Sequence, residues 1–305
     1  MSEQTNGALC AVPGGRIRYE ILNPGAPGTP VVTVHGGPGT PHDYLRPLAD
    51  LLPGHPVVVY DQLGCGRSER PADPSLWRLD RFVDELAALL AELDLPRFHL
   101  LGHSFGTMIA AEYALRGGPH RPEWLVLVSP VLSVRKYEDD MRQLLFRLPP
   151  DTAQGFTDAL RTGRYDTPEY VDAAMVFAER HMCRTEWPDT LLDATMDTAA
   201  AVRDTMWGRT EFRVTGNLRS YTCTDRLGGL SADTLILCGE HDFVPPRAGE
   251  AYARAIPRAD TAVIAGPHTC PIWKPPSCSP RSCWPASTQV INELPHHPTT
   301  PIRWA

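Results

Sequence analysis

Residues 97–106 of the chain, RFHLLGHSFG, decide the fold, because they join an apolar strand to a serine in a sharp turn. Gly102 to Gly106 match the pattern G-x-S-x-G, whose small flanking residues let the central serine occupy a strained conformation. The residues that follow, TMIAAEYALR, are typical of a helix. This strand–turn–helix order predicts that Ser104 presents its hydroxyl above a sheet, and it disfavours a serine in an ordinary tight turn.

The rest of the chain alternates strands with helices around this turn. The region from Asp80 to Leu93 carries apolar residues on one helical face, with Asp80 as a candidate N-cap. Strands that alternate with helices at this spacing predict an α/β fold, with a mostly parallel sheet covered by helices on both faces. Besides the run WLVLVSP, the predicted strands are Arg16–Ile21, Val31–Val34, Val57–Tyr60, Thr234–Cys238 and Thr261–Ile264.

Residues 133–224 interrupt this alternation. They are rich in charged, methionine and aromatic residues, and their pattern predicts helices without a convincing strand. A long insertion at the edge of such a sheet commonly covers the active site as a cap. We therefore predict a core formed by residues 1–132 and 225–269, and a helical cap formed by residues 133–224.

A serine nucleophile needs a base, and the base needs a carboxylate that orients it. In this architecture an acid and then a histidine follow the nucleophile, each just beyond a strand. Asp242 follows the strand Thr234–Cys238 and is the predicted acid, with Glu240 as its rival and a turn-capping role as the alternative. His268 follows the strand Thr261–Ile264 and is the predicted base. An imidazole with a pKa of about 6.5 exchanges protons readily near neutral pH.

The sequence HGGPG, residues 35–39, follows a predicted strand and is the candidate oxyanion loop. Hydrolysis through a tetrahedral intermediate needs hydrogen-bond donors for the oxygen that becomes negatively charged. We predict that the backbone amides of Gly37 and Phe105 are these donors, with Gly36 as a less favoured alternative to Gly37. The competing interpretation is a Gly/Pro turn without a catalytic role.

Four motifs together resemble the proline iminopeptidase family of α/β-hydrolases: HGGPG, YDQLGCGRS, GHSFG and GEHD. The likeness continues through the cap segments RHMCR, TMWGRTEF and VTGNL, and it covers residues 15–268. It implies an α/β-hydrolase fold with a helical cap. It also implies a serine aminopeptidase that removes an N-terminal amino acid, proline or another small residue, from a peptide or aminoacyl amide without a metal or other cofactor. Within the family, the sequence suggests kinship with the aminopeptidases of macrolactam antibiotic biosynthesis.

The resemblance also implies how the substrate is held. In family members, acidic residues on the cap and next to the triad acid bind the α-ammonium group of the substrate. Glu211, in GRTEF, matches the cap acid, with a solvated surface residue as the alternative. The residue after the triad acid is often glutamate in the family, but here it is Phe243, whose ring attracts an ammonium group only weakly. This departure predicts a more apolar pocket, in which Gly36, Glu211 and Phe243 contact the substrate.

The composition disfavours several classes of partner. A net charge of −7 argues against nucleic acid and anionic membranes, because no excess of basic residues would neutralise phosphates. The start of the chain lacks the basic and apolar regions of a secretory signal, which predicts a cytoplasmic protein. His181 and Cys183 are too few ligands to predict a metal site. The eight cysteines form no C-x-x-C pair and are predicted to be free thiols.

Residues 270–305 depart from the family, which continues after its catalytic histidine with an apolar turn and an amphipathic helix. This segment is instead rich in proline and cysteine. Permitted codons for Thr269 to Pro285, read one base earlier, encode HMPHLEAPELFAEIVLA, which is what the family places there. We therefore hypothesise a reading-frame slip near residue 267, which would leave His268 displaced by one position from the expected base.

Two other classes of function stay open at the level of the sequence, although we favour the aminopeptidase. An esterase or carbon–carbon hydrolase would use the same triad. A catalytically inactive binding protein would result if the altered tail misplaced His268 or prevented the last helix from packing.

Overall fold

The computed structural model describes residues 7–265 of the 305-residue chain. The strands of this part of the chain form one sheet. They are β1 (Ala8–Val12), β2 (Gly15–Leu22), β3 (Val31–Val34), β4 (Val57–Tyr60), β5 (His99–His103), β6 (Trp124–Val128), β7 (Asp233–Gly239) and β8 (Ala259–Ile264). Their order in the sheet is β1-β2-β4-β3-β5-β6-β7-β8. The pairs β1–β2 and β2–β4 are antiparallel and all other neighbours are parallel, which confirms the predicted mostly parallel sheet.

Helices alternate with these strands along the chain. The α-helices of the described residues are α1 (Leu48–Leu51), α2 (Leu79–Leu93), α3 (Phe105–Arg116), α4 (Val134–Leu145), α5 (Pro150–Thr162), α6 (Pro168–His181), α7 (Asp189–Met196), α8 (Ala200–Met206) and α9 (Pro246–Ala253). Short 3₁₀ turns occur at His42–Leu45, Pro74–Leu76 and Leu227–Gly229. None of the described helices is long and apolar enough to cross a membrane.

Strands β3 and β4 are apolar except for Thr33, because both faces of the sheet are covered. Every residue of β3 and β4 is buried. Within β3, Val32 and Val34 pack into one hydrophobic cluster with α2 and α3, whereas Val31 packs into a second cluster on the opposite face. Alternate residues of a strand point to opposite faces, so a strand buried on both sides needs continuous apolar sequence. This is why the short valine runs predicted β3 and β4 to the residue.

The structure departs from the sequence-based prediction at two places. The edge strand β1 was not predicted, although its five residues, ALCAV, are all apolar; its place at the rim of the sheet depends on pairing with β2. Asp80 was wrongly predicted as the N-cap of α2. The helix begins at Leu79, Arg78 occupies the N-cap position without a side-chain cap bond, and Asp80 lies in the first turn. There its carboxylate still lies near the positive end of the helix dipole.

Helices α4 to α8 lie between β6 and β7, as the sequence predicted for a helical insertion, and residues 207–226 follow them as loops and turns. Apart from helices, this segment contains an isolated bridge between Ser133 and Thr222. The strands on either side, β6 and β7, are direct neighbours in the sheet. The chain therefore leaves the sheet at the carboxyl end of β6 and returns beside it, so the insertion begins where parallel α/β sheets bind their ligands.

Candidate active site

Ser104 occupies the turn between β5 and α3 in a conformation that residues with a side chain rarely adopt, with φ 50° and ψ −119°. Its own N–H donates to the carbonyl of Val128 at 3.0 Å. Its carbonyl accepts hydrogen bonds from the amide and the hydroxyl of Thr107, at 2.9 and 2.5 Å. These bonds hold the strained turn, and they leave the partly exposed hydroxyl of Ser104 in the wall of a cavity.

The glycines on either side of the serine are required by close backbone packing. A Cβ atom on Gly102 would lie 2.6 Å from the carbonyl oxygen of Gly106. A Cβ atom on Gly106 would overlap the carbonyl oxygen of Val34 at the end of β3. Both positions of the G-x-S-x-G pattern must therefore be glycine, because the first turn of α3 lies so close to the neighbouring strands.

Asp242 lies just after β7 and its side chain is buried. One carboxylate oxygen accepts hydrogen bonds from the hydroxyl of Ser129 at 2.6 Å and the amide of Gly239 at 3.2 Å, and the other accepts from the amide of Val244 at 3.0 Å. Burial raises the pKa of Asp242 to about 7, and these hydrogen bonds oppose the rise. The rival acid Glu240 is half exposed, so Asp242 has the enclosed, oriented position that a triad acid requires.

Ser129 is a site residue that the sequence did not reveal. It follows β6, is fully buried, and has a positive φ of 48°, which turns it out of the extended strand conformation. Its amide donates to Leu237 in β7 at 2.8 Å while its hydroxyl donates to Asp242. The sequence signal that could have indicated Ser129 is a polar residue at the carboxyl end of a buried strand. The partner of that residue, however, depends on the pairing of β6 with β7.

The predicted base, His268, lies outside the described residues. The strand before it is present and ends at Ile264 as predicted, but it begins at Ala259 rather than Thr261; it runs parallel to β7, and Ile264 pairs with Gly239. The carboxyl end of β8 therefore lies at the same edge of the sheet as Asp242.

The loop after β3 carries the predicted oxyanion donors. The amide of Gly36 is engaged, since it donates to the hydroxyl of Tyr44 at 2.6 Å. Gly37 has a φ of 117°, a conformation that favours glycine, and it lines the same cavity as Ser104. Phe105 is the first residue of α3, where backbone N–H groups have no acceptor within the helix. This geometry favours Gly37 over Gly36 as the donor from the loop.

A cavity of about 340 Å³ lies between the sheet and the inserted helices. The predicted residues Ser104, Gly36, Gly37, Glu211 and Phe243 all line it. Its walls are mostly apolar with few polar groups, which is usual for small-molecule sites. The inserted helices and their connections contribute apolar side chains that the sequence analysis did not single out: Met141, Met175, Met182, Trp187 and Leu191.

Glu211 is exposed by its accessible surface, although protein groups surround it, because its side chain lines the open cavity. Desolvation raises the pKa of its carboxyl to about 7, and the charge of Arg203 opposes this rise. Tyr137 donates its hydroxyl to the backbone carbonyl of Glu211 at 2.9 Å. The ring of Phe243 meets Tyr137 edge to face, with 6.3 Å between the ring centres. Glu211 thus provides an anionic group in a cavity whose neighbouring walls are aromatic.

The histidine of the oxyanion loop has a structural role. His35 lies with Asp61 and Cys65 in a cluster of groups able to bind metal. Its Nδ1 donates to the Gly36 carbonyl at 2.9 Å and its Nε2 accepts from the amide of Gln62 at 2.9 Å. Both ring nitrogens therefore hold the loop, and the cluster belongs to the packing of the fold. The described cysteines, including Cys65 and Cys238 beside the motifs, are free and buried.

The chain is similar in sequence and structure to known hydrolases. Residues 29–275 match the α/β hydrolase fold family. The proline iminopeptidase of Heyndrickxia coagulans is 38% identical over 250 residues, which cover 81% of this chain and 86% of that protein. The crystal structure of the proline iminopeptidase of Mycobacterium smegmatis superposes with a TM-score of 0.79 at 29% identity, over 87% of this chain and 91% of that one. The crystal structure of VinJ gives a TM-score of 0.83 at 29% identity, over 95% and 96%.

Proposed function

The chain belongs to the proline iminopeptidase family of α/β-hydrolases, and from this premise we propose that it is a serine aminopeptidase. Its substrate is a peptide or an aminoacyl amide, from which it releases an N-terminal proline or another small residue. One observation carries the proposal: a serine in a strained nucleophile turn and the carboxylate of Glu211 line the same cavity. The first can attack an acyl group, and the second can pair with an α-ammonium group next to that acyl group.

In the proposed reaction, the hydroxyl oxygen of Ser104 attacks the carbonyl carbon of the N-terminal residue while the base removes its proton. The base then gives this proton to the leaving amine, the carbon–nitrogen bond breaks, and an acyl-enzyme remains. Water, deprotonated by the same base, attacks the acyl carbon; the ester bond to Ser104 then breaks, the base returns the proton to the serine oxygen, and the amino acid is released. These reaction steps use side chains and backbone amides and need no metal or other cofactor.

We assign the triad acid to Asp242 and the base to His268. The hydrogen bonds from Ser129, Gly239 and Val244 fix the orientation of the carboxylate, which then selects one tautomer of the imidazole and stabilises the imidazolium. A cation beside Asp242 also favours its ionised form, which opposes the effect of burial on its pKa.

We assign the oxyanion hole to the amides of Gly37 and Phe105. These groups are backbone donors whose positions depend on a glycine conformation and on a helix N-terminus. They therefore need little rearrangement when charge develops on the carbonyl oxygen. One such donor contributes about 10²–10³ to the rate in comparable enzymes.

We assign recognition of the α-ammonium group to Glu211, with Phe243 and Gly36 forming the adjacent surface. Phe243 provides an apolar edge where many family members have a second carboxylate. This site therefore depends on one acidic group, so we expect small apolar N-terminal residues, including proline, to bind best. We also propose that the chain divides into a core and a helical cap, residues 133–224, because residues of both parts line the cavity.

The apolar cavity wall and Phe243 also favour a second candidate, an esterase or carbon–carbon hydrolase with the same triad. A panel of aminoacyl-arylamides, matched N-acetylated amides and aryl esters distinguishes the two functions. Efficient cleavage of free-amine amides, with weak cleavage of their N-acetylated partners, supports the aminopeptidase. Cleavage of esters alone supports the second candidate.

An inactive binding protein is tested separately with a fluorophosphonate probe. The probe labels a serine only when its hydroxyl is activated, so labelling of the wild-type chain but not of Ser104→Ala excludes this class. The location of the protein in the cytoplasm stays a prediction from the sequence.

A further inference from the structure

The hydroxyl of Tyr44 connects the oxyanion loop to the residue before the nucleophile. Tyr44 lies in the 3₁₀ turn His42–Leu45 and is buried. Its hydroxyl accepts a hydrogen bond from the amide of Gly36 at 2.6 Å and lies 2.8 Å from Nδ1 of His103. Gly36 directly precedes Gly37, and His103 directly precedes Ser104. One phenol oxygen therefore touches the neighbours of both the proposed oxyanion donor and the nucleophile.

The groups present fix the direction of the first of these hydrogen bonds, and we assign the direction of the second. The amide of Gly36 is a donor, so the phenol oxygen accepts there, and we assign the phenol proton to Nδ1 of His103. His103 is then a neutral imidazole with its proton on Nε2. Its environment agrees with neutrality, because burial, with a contribution from His35, lowers the pKa of His103 to about 3.

The three groups are packed so closely that the loop has little freedom to move. A Cβ atom on Gly36 would lie 3.1 Å from both the Tyr44 hydroxyl and Nδ1 of His103. The rings of Tyr44 and His103 meet edge to face with 5.3 Å between their centres. Both residues are almost completely buried, so water does not replace a lost hydrogen bond at low cost.

We propose that Tyr44 and His103 are a pair of positioning residues that hold the Gly36–Gly37 loop at a fixed distance from the nucleophile turn. The Tyr44 hydroxyl engages the amide of Gly36, and this sets the direction of the next amide, that of Gly37, toward the oxyanion. The pair acts through Gly37 and Ser104 and does not touch the reacting atoms. The inference rests on the proposed roles of Gly37 and Ser104, but it applies equally to amide and ester substrates.

The variant Tyr44→Phe removes the hydroxyl and keeps the ring. Because a displaced donor is lost mainly in the transition state, we expect kcat to fall about tenfold while KM changes less than about twofold. Tyr113→Phe is the matched control. It removes a buried hydroxyl that donates to the carbonyl of His120 at the far end of α3, and its kcat should match that of the wild type.

Kinetics are measured on an aminoacyl-arylamide and on p-nitrophenyl acetate, each normalised to the serine content that a fluorophosphonate titrates. If the wild-type chain cleaves only the ester, the proposed aminopeptidase fails, but the ester still tests the pair, since its hydrolysis also forms an oxyanion. A kcat for Tyr44→Phe within about twofold of the wild type on every cleaved substrate would overturn the inference.

A second measurement does not depend on turnover. Nitrogen-15 spectra of labelled protein at neutral pH should show His103 as the neutral tautomer with its proton on Nε2. In Tyr44→Phe, the Nδ1 signal should shift because its hydrogen-bond donor is gone, whereas Tyr113→Phe should leave it unchanged. A His103 that is cationic or protonated on Nδ1 in the wild-type chain contradicts the assigned pair, whatever the kinetics.

Discussion

The two walls of the cavity are built in different ways. On the sheet side, the groups are held by backbone geometry: Ser104 and Ser129 have positive φ, Gly37 has a φ that favours glycine, and Asp242 is buried among three donors. On the helical side, the wall consists of side chains, many of them aromatic or methionine. Four apolar residues of α6 and α7 are exposed: Met175 lines the cavity, whereas Val171, Leu192 and Met196 do not.

This contrast suggests a division of labour. A catalytic group must keep its position within a fraction of an ångström, and buried backbone and short side chains provide that precision. A surface that selects substrates tolerates more variation, and methionine suits it because the side chain adapts its shape. Substitutions on the sheet side should therefore lower kcat, and substitutions on the helical side should mainly change KM.

The strongest test of the sheet side is Ser104→Ala. We expect kcat to fall by about 10⁶, because the nucleophile is lost, while circular dichroism and the melting temperature stay close to those of the wild type. Ser75→Ala removes an exposed serine hydroxyl elsewhere and serves as the control. Substantial activity in a well-folded Ser104→Ala protein would place the nucleophile elsewhere.

The next largest effect is expected for Asp242→Asn. An amide cannot hold the histidine in the required tautomer, so kcat should fall by about 10⁴ with a smaller change in KM. Glu240→Gln is the matched control, and its kcat should stay near that of the wild type. If Glu240→Gln proves the more damaging substitution, the acid has been assigned to the wrong carboxylate.

The third test concerns the residues after β8. A chain that follows the alternative reading frame from residue 267 should be more soluble and about 10²-fold more active than the printed sequence, because an error near 1 Å in the base costs about that much. A further reason is that β8 is an edge strand whose Val263 is 45% exposed, and the apolar face of a following helix would cover it.

Repeated sequencing of the codons for residues 255–290 checks the hypothesis directly. Equal activity of the two chains, with His268→Ala inactive in the printed one, would show that the printed tail is genuine and that His268 is the base.

On the helical side, Glu211→Gln should raise KM for substrates with a free α-amine and leave kcat much less affected. One charge-assisted hydrogen bond contributes roughly 1.5–3 kcal/mol, which corresponds to a change of about 10–150-fold. The N-acetylated partner substrates, which lack the ammonium group, should show no such change. Glu179→Gln, at an exposed position of α6, is the control. Equal effects on both kinds of substrate would show that Glu211 does not bind the α-ammonium group.

The smallest effect is the pH dependence of KM. Glu211 must be ionised to pair with an ammonium group, and its pKa is raised to about 7, so pairing is lost as the pH falls through 7. Between about pH 6 and 7.5 the ionised fraction rises from about a tenth to about three quarters, so KM for a free-amine substrate should fall by up to about eightfold. In Glu211→Gln, KM should be flat over this range. A slope that persists in the variant would assign the titration to another group.

The sequence predicted the sheet side well where a local pattern determines the structure. The nucleophile turn, β3 and β4 follow from glycine spacing and continuous apolar runs, which constrain the backbone directly. The positions of Ser129 and Tyr44 could not be predicted in this way. Ser129 meets Asp242 across 113 residues of sequence, and Tyr44 meets His103 across 59, so both contacts depend on which strands become neighbours.

The helical side was predicted in outline. Its helices follow from their apolar spacing, and the resemblance pointed to Glu211. The lining by Met141 and Met175 was not predicted, because helical periodicity indicates which face is buried but not which cavity it borders. Trp187 lies in the connection between α6 and α7, where no periodicity applies. The edge strand β1 was missed because a short strand at the rim of a sheet is stabilised by pairing with β2 rather than by its own composition.

The pairing of β6 with β7 also has a consequence for how the protein is made. During synthesis, Ser104 and Ser129 leave the ribosome well before Asp242, because about a hundred residues, 129–232, separate the two paired strands. Joining the strands closes a long loop, and such long-range contacts form late in folding. A nascent or truncated chain therefore contains the proposed nucleophile without the proposed acid. Hydrolytic activity should thus appear only after nearly the whole chain has been translated and folded, which makes it a sensitive reporter of complete biosynthesis.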